Sequence, residues 1–328
     1  MHTKDFTAHV EAMSPPDMRY CTPMNRIATG AQRARLLKLA TYASVITATL
    51  LVALKAWAWR ITDSVSLLSS LADSGLDVLA SLITFFAVRV SLKPADQEHR
   101  FGHGKAEGLA ALAQSVIITA SAAYVLKETI ERLLNPSAVE QAPLGIAVML
   151  ISALLTLILV GVQRHVRLKT GSAAIEADAM HYKTDLAINL GVAAAIAAST
   201  LPGGGLADPL VAAAVMAYLL FGVWKIAGRA LDILMDREIP DEDRLKIADL
   251  AESHPQVIDI HDLKTRHGGA NFIVQFHVLL PAELNLAEAH RILDEIEDRI
   301  QAEYPQCELL LHPDPAGYRP TAHEFGKA

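Results

Sequence analysis

The stretch "SSLADSGLDVLAS", residues 69–81, decides the fold. It lies inside residues 64–88, a mostly apolar run long enough to cross a bilayer, for which a helix needs about 20 residues. Yet it holds two acids, Asp73 and Asp77, four positions apart. That spacing puts both carboxylates on one face of a helix, about one turn apart. An ionised acid at mid-bilayer costs at least about 2.5 kcal/mol even on lenient scales. The pair therefore predicts compensating groups elsewhere in the chain.

Working outward, five further windows have spanning length. Residues 108–126, 143–162 and 209–224 carry no charge, 39–59 holds one lysine, Lys55, and 173–199 is apolar but contains acids. The 328 residues are 52% hydrophobic and the mean hydropathy is +0.28, as expected for six spans with a soluble remainder. Lys and Arg cluster before the first span (Arg33, Arg35, Lys38), between the second and third (Lys93, Arg100, Lys105), between the fourth and fifth (Arg164, Arg167, Lys169) and after the sixth (Lys225, Arg229, Arg237). The opposite connections are poorer in positive charge, which predicts that both termini face the cytoplasm of a multi-pass protein in the inner (plasma) membrane.

The net charge of −7 averages a membrane part with a soluble part. No basic, aromatic-interleaved patch points to nucleic acid. Asp5, Glu11 and "SPP" near the start, without an apolar core, argue for a mobile tail rather than a signal peptide. Cys21 and Cys307 form no CxxC pair and read as free thiols in a reducing compartment.

From Glu238 the pattern changes. "PDEDRLKIADLAESH" opens a helix with Pro240 and acids, "VIDIHDLKTRH" and "NFIVQFHVLL" alternate as strands around a "GGAN" turn, "NLAEAHRILDEIEDRIQAEYP" is helical, and "CELLLHPDP" is a last strand. The order αββαβ predicts a three-stranded sheet with two helices on one face, a small α+β domain of the ferredoxin-like or metallochaperone-like kind. The resulting division is an N-terminal tail, 1–32; a six-helix transmembrane domain, 33–236; a cytoplasmic domain, 237–315, small enough to favour pairing with a second copy; and a disordered tail, 316–328.

The compensating groups for Asp73 and Asp77 lie in 173–199. There "EADAMHYKTDLAINL" places His181 and Asp185 at the same four-residue spacing, with Asp178 one turn earlier, while Lys183 projects from another side of the helix. Two helices that each present two ligands one turn apart close a four-coordinate site of three carboxylates and one imidazole, a set that Zn²⁺ accepts. A hydrogen-bonded polar cluster and a proton relay are the alternatives. The loop "KPADQEHRFGHGKAEGL" adds Asp96, His99 and His103, a plausible exposed metal group or simple loop chemistry. The tail carries His261, His277, His290, His312 and Asp314, with His267 near its turn; His2, His9, His165, His254 and His323 read as surface residues.

Six spans, Asp-x3-Asp in the second, His-x3-Asp in the fifth and an αββαβ tail together resemble the cation diffusion facilitator family, in its bacterial YiiP-like zinc and iron efflux branch, over residues 33–315. The resemblance implies a transport site at Asp73, Asp77, His181 and Asp185, and a second ion at Asp96, His99 and His103. It implies a two-ion cytoplasmic site at His261, His277, His290, His312 and Asp314, although Pro313 stands where some relatives offer an amide. It also implies a charge interlock of Lys105 with Asp236, and a homodimer.

The expected function is a divalent cation/proton antiporter that exports Zn²⁺, with Fe²⁺, Cd²⁺ and Co²⁺ as further substrates. Metal ligands must lose protons to bind, which lets a proton gradient drive release. No prosthetic group is implied, and Zn²⁺ enters as substrate and as a regulatory ion in the tail. No P-loop or HExxH occurs and no thiolate pair suits copper, so neither an ATPase nor an intramembrane metallo-enzyme is expected. A non-transporting metal sensor or scaffold acting through the tail is the alternative.

Overall fold

A computed structural model describes residues 28, 30–62, 65–134, 143–199, 207–268 and 271–317. The expectations for most of the N-terminal tail and for the last residues, 318–328, fall outside these, as does Cys21. The chain divides into two compact units, Gly30–Met235 and a second that begins at Asp236. At the junction Asp236 takes a left-handed backbone (φ 58°), a conformation that a short polar side chain tolerates and that stops the preceding helix.

The first unit is six long helices: α1 (Gly30–Thr62), α2 (Val65–Ser91), α3 (Ala106–Leu134), α4 (Pro143–Thr170), α5 (Ala173–Ser199) and α6 (Ala207–Leu234). Five of them outrun the apolar windows of the sequence, because a helix satisfies its backbone internally and continues into the interfacial layer. Thus α4 reaches Thr170 and carries Arg167 and Lys169 in its last turn. Among the described residues, 30–61, 73–91, 106–124 and 147–170 are long and apolar enough to cross a membrane.

The unit is apolar outside and carries polar side chains among the apolar ones within. Leu39, Ile46, Leu50, Phe86, Val116, Leu150 and Leu154 are exposed, whereas Ser44, Ser81, Thr84, Gln114 and Asp178 are fully buried. That inversion suits lipid as solvent, where interhelical hydrogen bonds and close packing of small residues drive association. At Gly108 on α3 an added Cβ would stand 3.2 Å from Ile233 Cγ2 and 3.4 Å from the Ala230 carbonyl oxygen, so this position is where α3 and α6 approach. Buried and part-buried charges near the helix ends are paired. Arg33 binds Glu107 at 2.8 Å, Ser172 donates to the other Glu107 oxygen, and Glu176 takes Arg167 at 2.9 Å and Arg229 at 2.5 Å.

The second unit holds α7 (Asp241–Glu252), β1 (Asp259–His267), β2 (Phe272–Leu280), α8 (Leu286–Glu303) and β3 (Cys307–Pro315), in the αββαβ order that the sequence predicts. The sheet order is β1-β2-β3; β1 and β2 are antiparallel, β2 and β3 parallel across α8. Phe272, Val274, Phe276, Val278 and Leu280 alternate along β2 into one core with Ile247 and Ala251 of α7 and Ile292, Ile296 and Ile300 of α8. Period-two alternation then leaves the odd positions of β2, His277 among them, on the opposite face. Asn285 caps α8 through a reciprocal capping box with Glu288.

His254 departs from its expected place on the surface: it is 4% exposed and its Nε2 lies 3.0 Å from Glu295. The chain turns directly after α7, which folds the imidazole back against α8. That bond, above all, holds the Glu295 carboxyl below its usual range.

Cys307 is buried, and that burial pushes its thiol up to about 12. Since the thiolate is the nucleophile, Cys307 in the native protein should resist iodoacetamide at pH 8 and become labelled on denaturation. Peptide mapping by mass spectrometry reads this residue by residue.

Candidate metal centre

Among the described residues, three groups of histidine and acid bring ligand atoms within 4.8 Å of one another: Asp77, His181 and Asp185; Asp96, His99 and His103; and His261, His277 and Asp314.

The first group joins α2 to α5 inside the helical unit. His181 Nε2 lies 3.0 Å from Asp77 Oδ1 and 3.7 Å from Asp185 Oδ2, with the imidazole 3% exposed. Two helices meet here because each shows its polar face to the other. Asp185 Oδ2 is buried without a hydrogen-bond partner, a lone pair available to a cation. Asp73 lies one turn before Asp77 on the same helix and outside this trio. A cavity of about 40 Å³, ample for a single water-sized or ionic occupant, is lined by Asp77, Asp185, Tyr182, Thr156, Ser152 and Lys55.

Lys55 is the residue that the sequence reading passed over. It was visible as the one charge in residues 39–59, but nothing in the spacing tied α1 to α2. Its Nζ donates to Ser74 Oγ at 2.7 Å and to the Ser70 carbonyl at 3.1 Å. The small residues beside Asp73 and Asp77 thus admit a lysine from α1. Gly75 has open space beside it: among the described residues, no atom outside its own helix backbone and chain neighbours lies within 4 Å of a Cβ placed there.

Asp178 faces a different set of partners. Its Oδ2 accepts from Ser44 Oγ and from Gln163 Nε2, each at 2.7 Å; Ser44 continues to Ser81 at 3.0 Å and Ser81 to the Tyr182 hydroxyl at 2.7 Å. The network ties α1, α2, α4 and α5 together one turn from His181. Asp178 thereby ties the helix that carries the candidate ligands His181 and Asp185 to α1 and α4.

In the loop, Asp96 Oδ1 accepts the backbone N–H of His99 at 2.7 Å and of Glu98 at 3.0 Å, closing a tight turn. The His99 bond, first among its causes, holds the Asp96 carboxyl below its usual range. His99 Nδ1 and His103 Nε2 stand 3.4 and 3.3 Å from the same carboxylate, and the rings are 4.6 Å apart.

In the tail the strand register builds the third group. His261 pairs with His277 across the antiparallel ladder and His277 with His312 across the parallel one, so the three imidazoles form a row. Asp314, two residues beyond His312 and so on the same face, meets all three: His261 at 3.1 Å, His277 at 2.8 Å and His312 at 3.5 Å. A bulge between His261 and Lys264, with Asp262 at φ 54°, interrupts the ladder beside them before pairing resumes at Lys264 with Gln275. His290 stands apart, exposed on α8 and 3.8 Å from Asp294. Lys105 and Asp236 fall in different units; Lys105 donates to the Leu234 carbonyl at 3.4 Å and Asp236 lies 3.8 Å from Arg266.

Replacing Asp178 by alanine leaves the buried Gln163 amide without this acceptor and the Ser44 hydroxyl with Ser81 alone, at about 1–3 kcal/mol for an unmade buried bond. Thermal unfolding in detergent should show a lower midpoint for Asp178→Ala than for Asp178→Asn, which keeps an acceptor oxygen.

The cation efflux transmembrane domain profile matches residues 41–235, and that of the cation efflux protein cytoplasmic domain matches residues 239–316. The cation-efflux pump FieF of Shewanella oneidensis is 43% identical over 284 residues, covering 87% of this chain and 96% of that one. FieF of Yersinia enterocolitica is 42% identical over 289 residues, with coverage of 88% and 96%. A solved structure of CzrB in its Zn form is 29% identical, covers 26% of this chain and all of its own, and has a TM-score of 0.25, too low to speak to the fold. This chain is a membrane protein of the cation efflux (cation diffusion facilitator) family, in its YiiP-like branch.

Proposed function

We propose that this protein exports divalent cations, Zn²⁺ foremost, from the cytoplasm in exchange for protons. One observation carries the reading: two carboxylates and an imidazole from α2 and α5 converge within 4.8 Å inside a helical unit whose outer surface is apolar. Asp73, on the same face one turn earlier, supplies the fourth ligand. A mixed N/O set favours Zn²⁺ and similar borderline ions over copper, which seeks thiolates. His181 and the carboxylates bind metal only after giving up protons, so a proton arriving from the outer side displaces the ion. The charge bias of the connections supports a cytoplasmic position for both termini.

The loop trio and the row of tail histidines are secondary sites in this reading. Cytoplasmic Zn²⁺ at His261, His277, His312 and Asp314 steadies the tail, through which two copies pair. Lys105 and Asp236 are candidates to link the two units by charge.

Proteoliposomes with an imposed pH gradient test the exchange. Wild type should move Zn²⁺ against the proton flow, and Asp77→Ala and His181→Ala should each lose at least about tenfold in rate, the 1.4 kcal/mol that a single strong ligand contact exceeds. Flux that persists in both variants, or that ignores the gradient, defeats the reading. In the tail, Asp314→Ala removes the group shared by three histidines and should abolish Zn²⁺ binding by that unit while the membrane flux stays measurable.

A further inference from the structure

Within the transport-site cavity, Lys55 has no role in the reading above. It comes from α1, whereas the candidate ligands come from α2 and α5. Lys55 lines the same cavity as Asp77 and Asp185. It is held by Ser74 Oγ at 2.7 Å and the Ser70 carbonyl at 3.1 Å, both on the helix that carries Asp73 and Asp77. The charges that act on it are those of Asp77, Asp73 and Asp185.

We propose that the Lys55 ammonium is a tethered counter-cation of the transport site, setting both how tightly and for which ionic charge the site binds. The inference rests on Asp73, Asp77, His181 and Asp185 being that site. With His181 neutral as a ligand, the carboxylates of Asp77, Asp185 and, one turn away, Asp73 against one ammonium leave two negative charges at the site. A divalent ion then brings the group to neutrality, the state that a low-dielectric interior favours. A monovalent ion leaves an uncompensated charge, and a trivalent ion adds one of the opposite sign. Asp178 stands outside this count, because its carboxylate accepts from Ser44 and Gln163 instead.

The lysine also works against over-tight binding. Two like charges near one another in a protein interior repel by several-fold more than in water, so an ammonium at the cavity wall weakens a bound cation. A transporter needs that weakening, since an ion held too firmly is not released. When the ion leaves, Lys55 remains to offset part of the carboxylate charge, and the bonds to Ser70 and Ser74 keep it at the wall rather than at the ligand positions.

The test uses full-length protein in nanodiscs carrying Asp96→Ala, His103→Ala, His261→Ala and Asp314→Ala, so that the remaining Zn²⁺ binding belongs to the membrane trio. Calorimetry with Zn²⁺ alone should show Lys55→Met and Lys55→Gln binding about tenfold or more tightly than the parent, and Lys55→Arg close to it. Flux in proteoliposomes should show KM and maximal rate falling together for Met and Gln. A purely structural lysine gives another pattern: weaker binding, or a Gln variant that behaves like the parent because it keeps the hydrogen bonds to α2. Either result overturns the proposal. Asp77→Ala serves as the control. If it abolishes binding while Lys55→Met changes nothing, the site stands and the role of Lys55 falls; if Asp77→Ala also changes nothing, the site itself is misplaced and the proposal falls with it.

Discussion

A carboxylate in the interior of a membrane helix has to be neutralised by something within a few ångströms, and the helical unit is arranged around that requirement. Asp77 is met by His181 across the α2–α5 contact, and Asp185 stands on the same face of α5. Asp178 has its own hydrogen-bond donors from α1 and α4. Lys55 reaches in from α1 to the serines beside the acids. Each of these contacts joins different helices, so polar satisfaction and helix packing are one problem here. The apolar exterior contributes little preference for any one arrangement, because lipid tails are as apolar as the side chains that face them.

The tail assembles its candidate ligands by a different device. Strand pairing, not charge, lines up His261, His277 and His312, and the two-residue period puts Asp314 on their face. The opposite face of the sheet is the core of Phe272, Val274, Phe276, Val278 and Leu280. That core makes the register costly to shift, since a slip of one residue would bury the histidines and expose the phenylalanines. The ligand row is therefore pre-organised by packing on the other side of the sheet. In the membrane unit, by contrast, the ligands depend on the relative position of two helices, and helices can slide or rock. The proposed transport role needs that freedom, and the proposed steadying role of the tail does not.

Much of this was legible in the sequence, because it follows from local periodicity. Asp73 and Asp77, and His181 and Asp185, repeat at one helical turn, and uncharged windows such as 143–162 mark spans by length alone. The αββαβ order follows from alternation and from turn and proline positions, and the alternation of β2 already separates Val274 and Phe276 from His277. Pairing these elements in space was beyond such rules. His254 looked like a surface residue until α7 was seen to turn back on α8. His290 shares the composition of its domain's ligands, but its helix carries it away from the row.

What the sequence by itself determined is the kind of protein and the identity of the costly residues: six membrane-length helices, a small α+β tail, and acids that demand partners. Only the tertiary structure decided which partner each acid has. Lys55 and Asp77 are separated by a helix reversal and belong to different periodicities, so no spacing rule connects them; they share one cavity because α1 packs on α2. Likewise Asp73 and Asp77 are equivalent by spacing, yet one joins the trio and the other does not. Periodicity fixes the face of a helix on which a charge lies, whereas the height at which a neighbouring helix crosses that face is a property of the whole packed bundle.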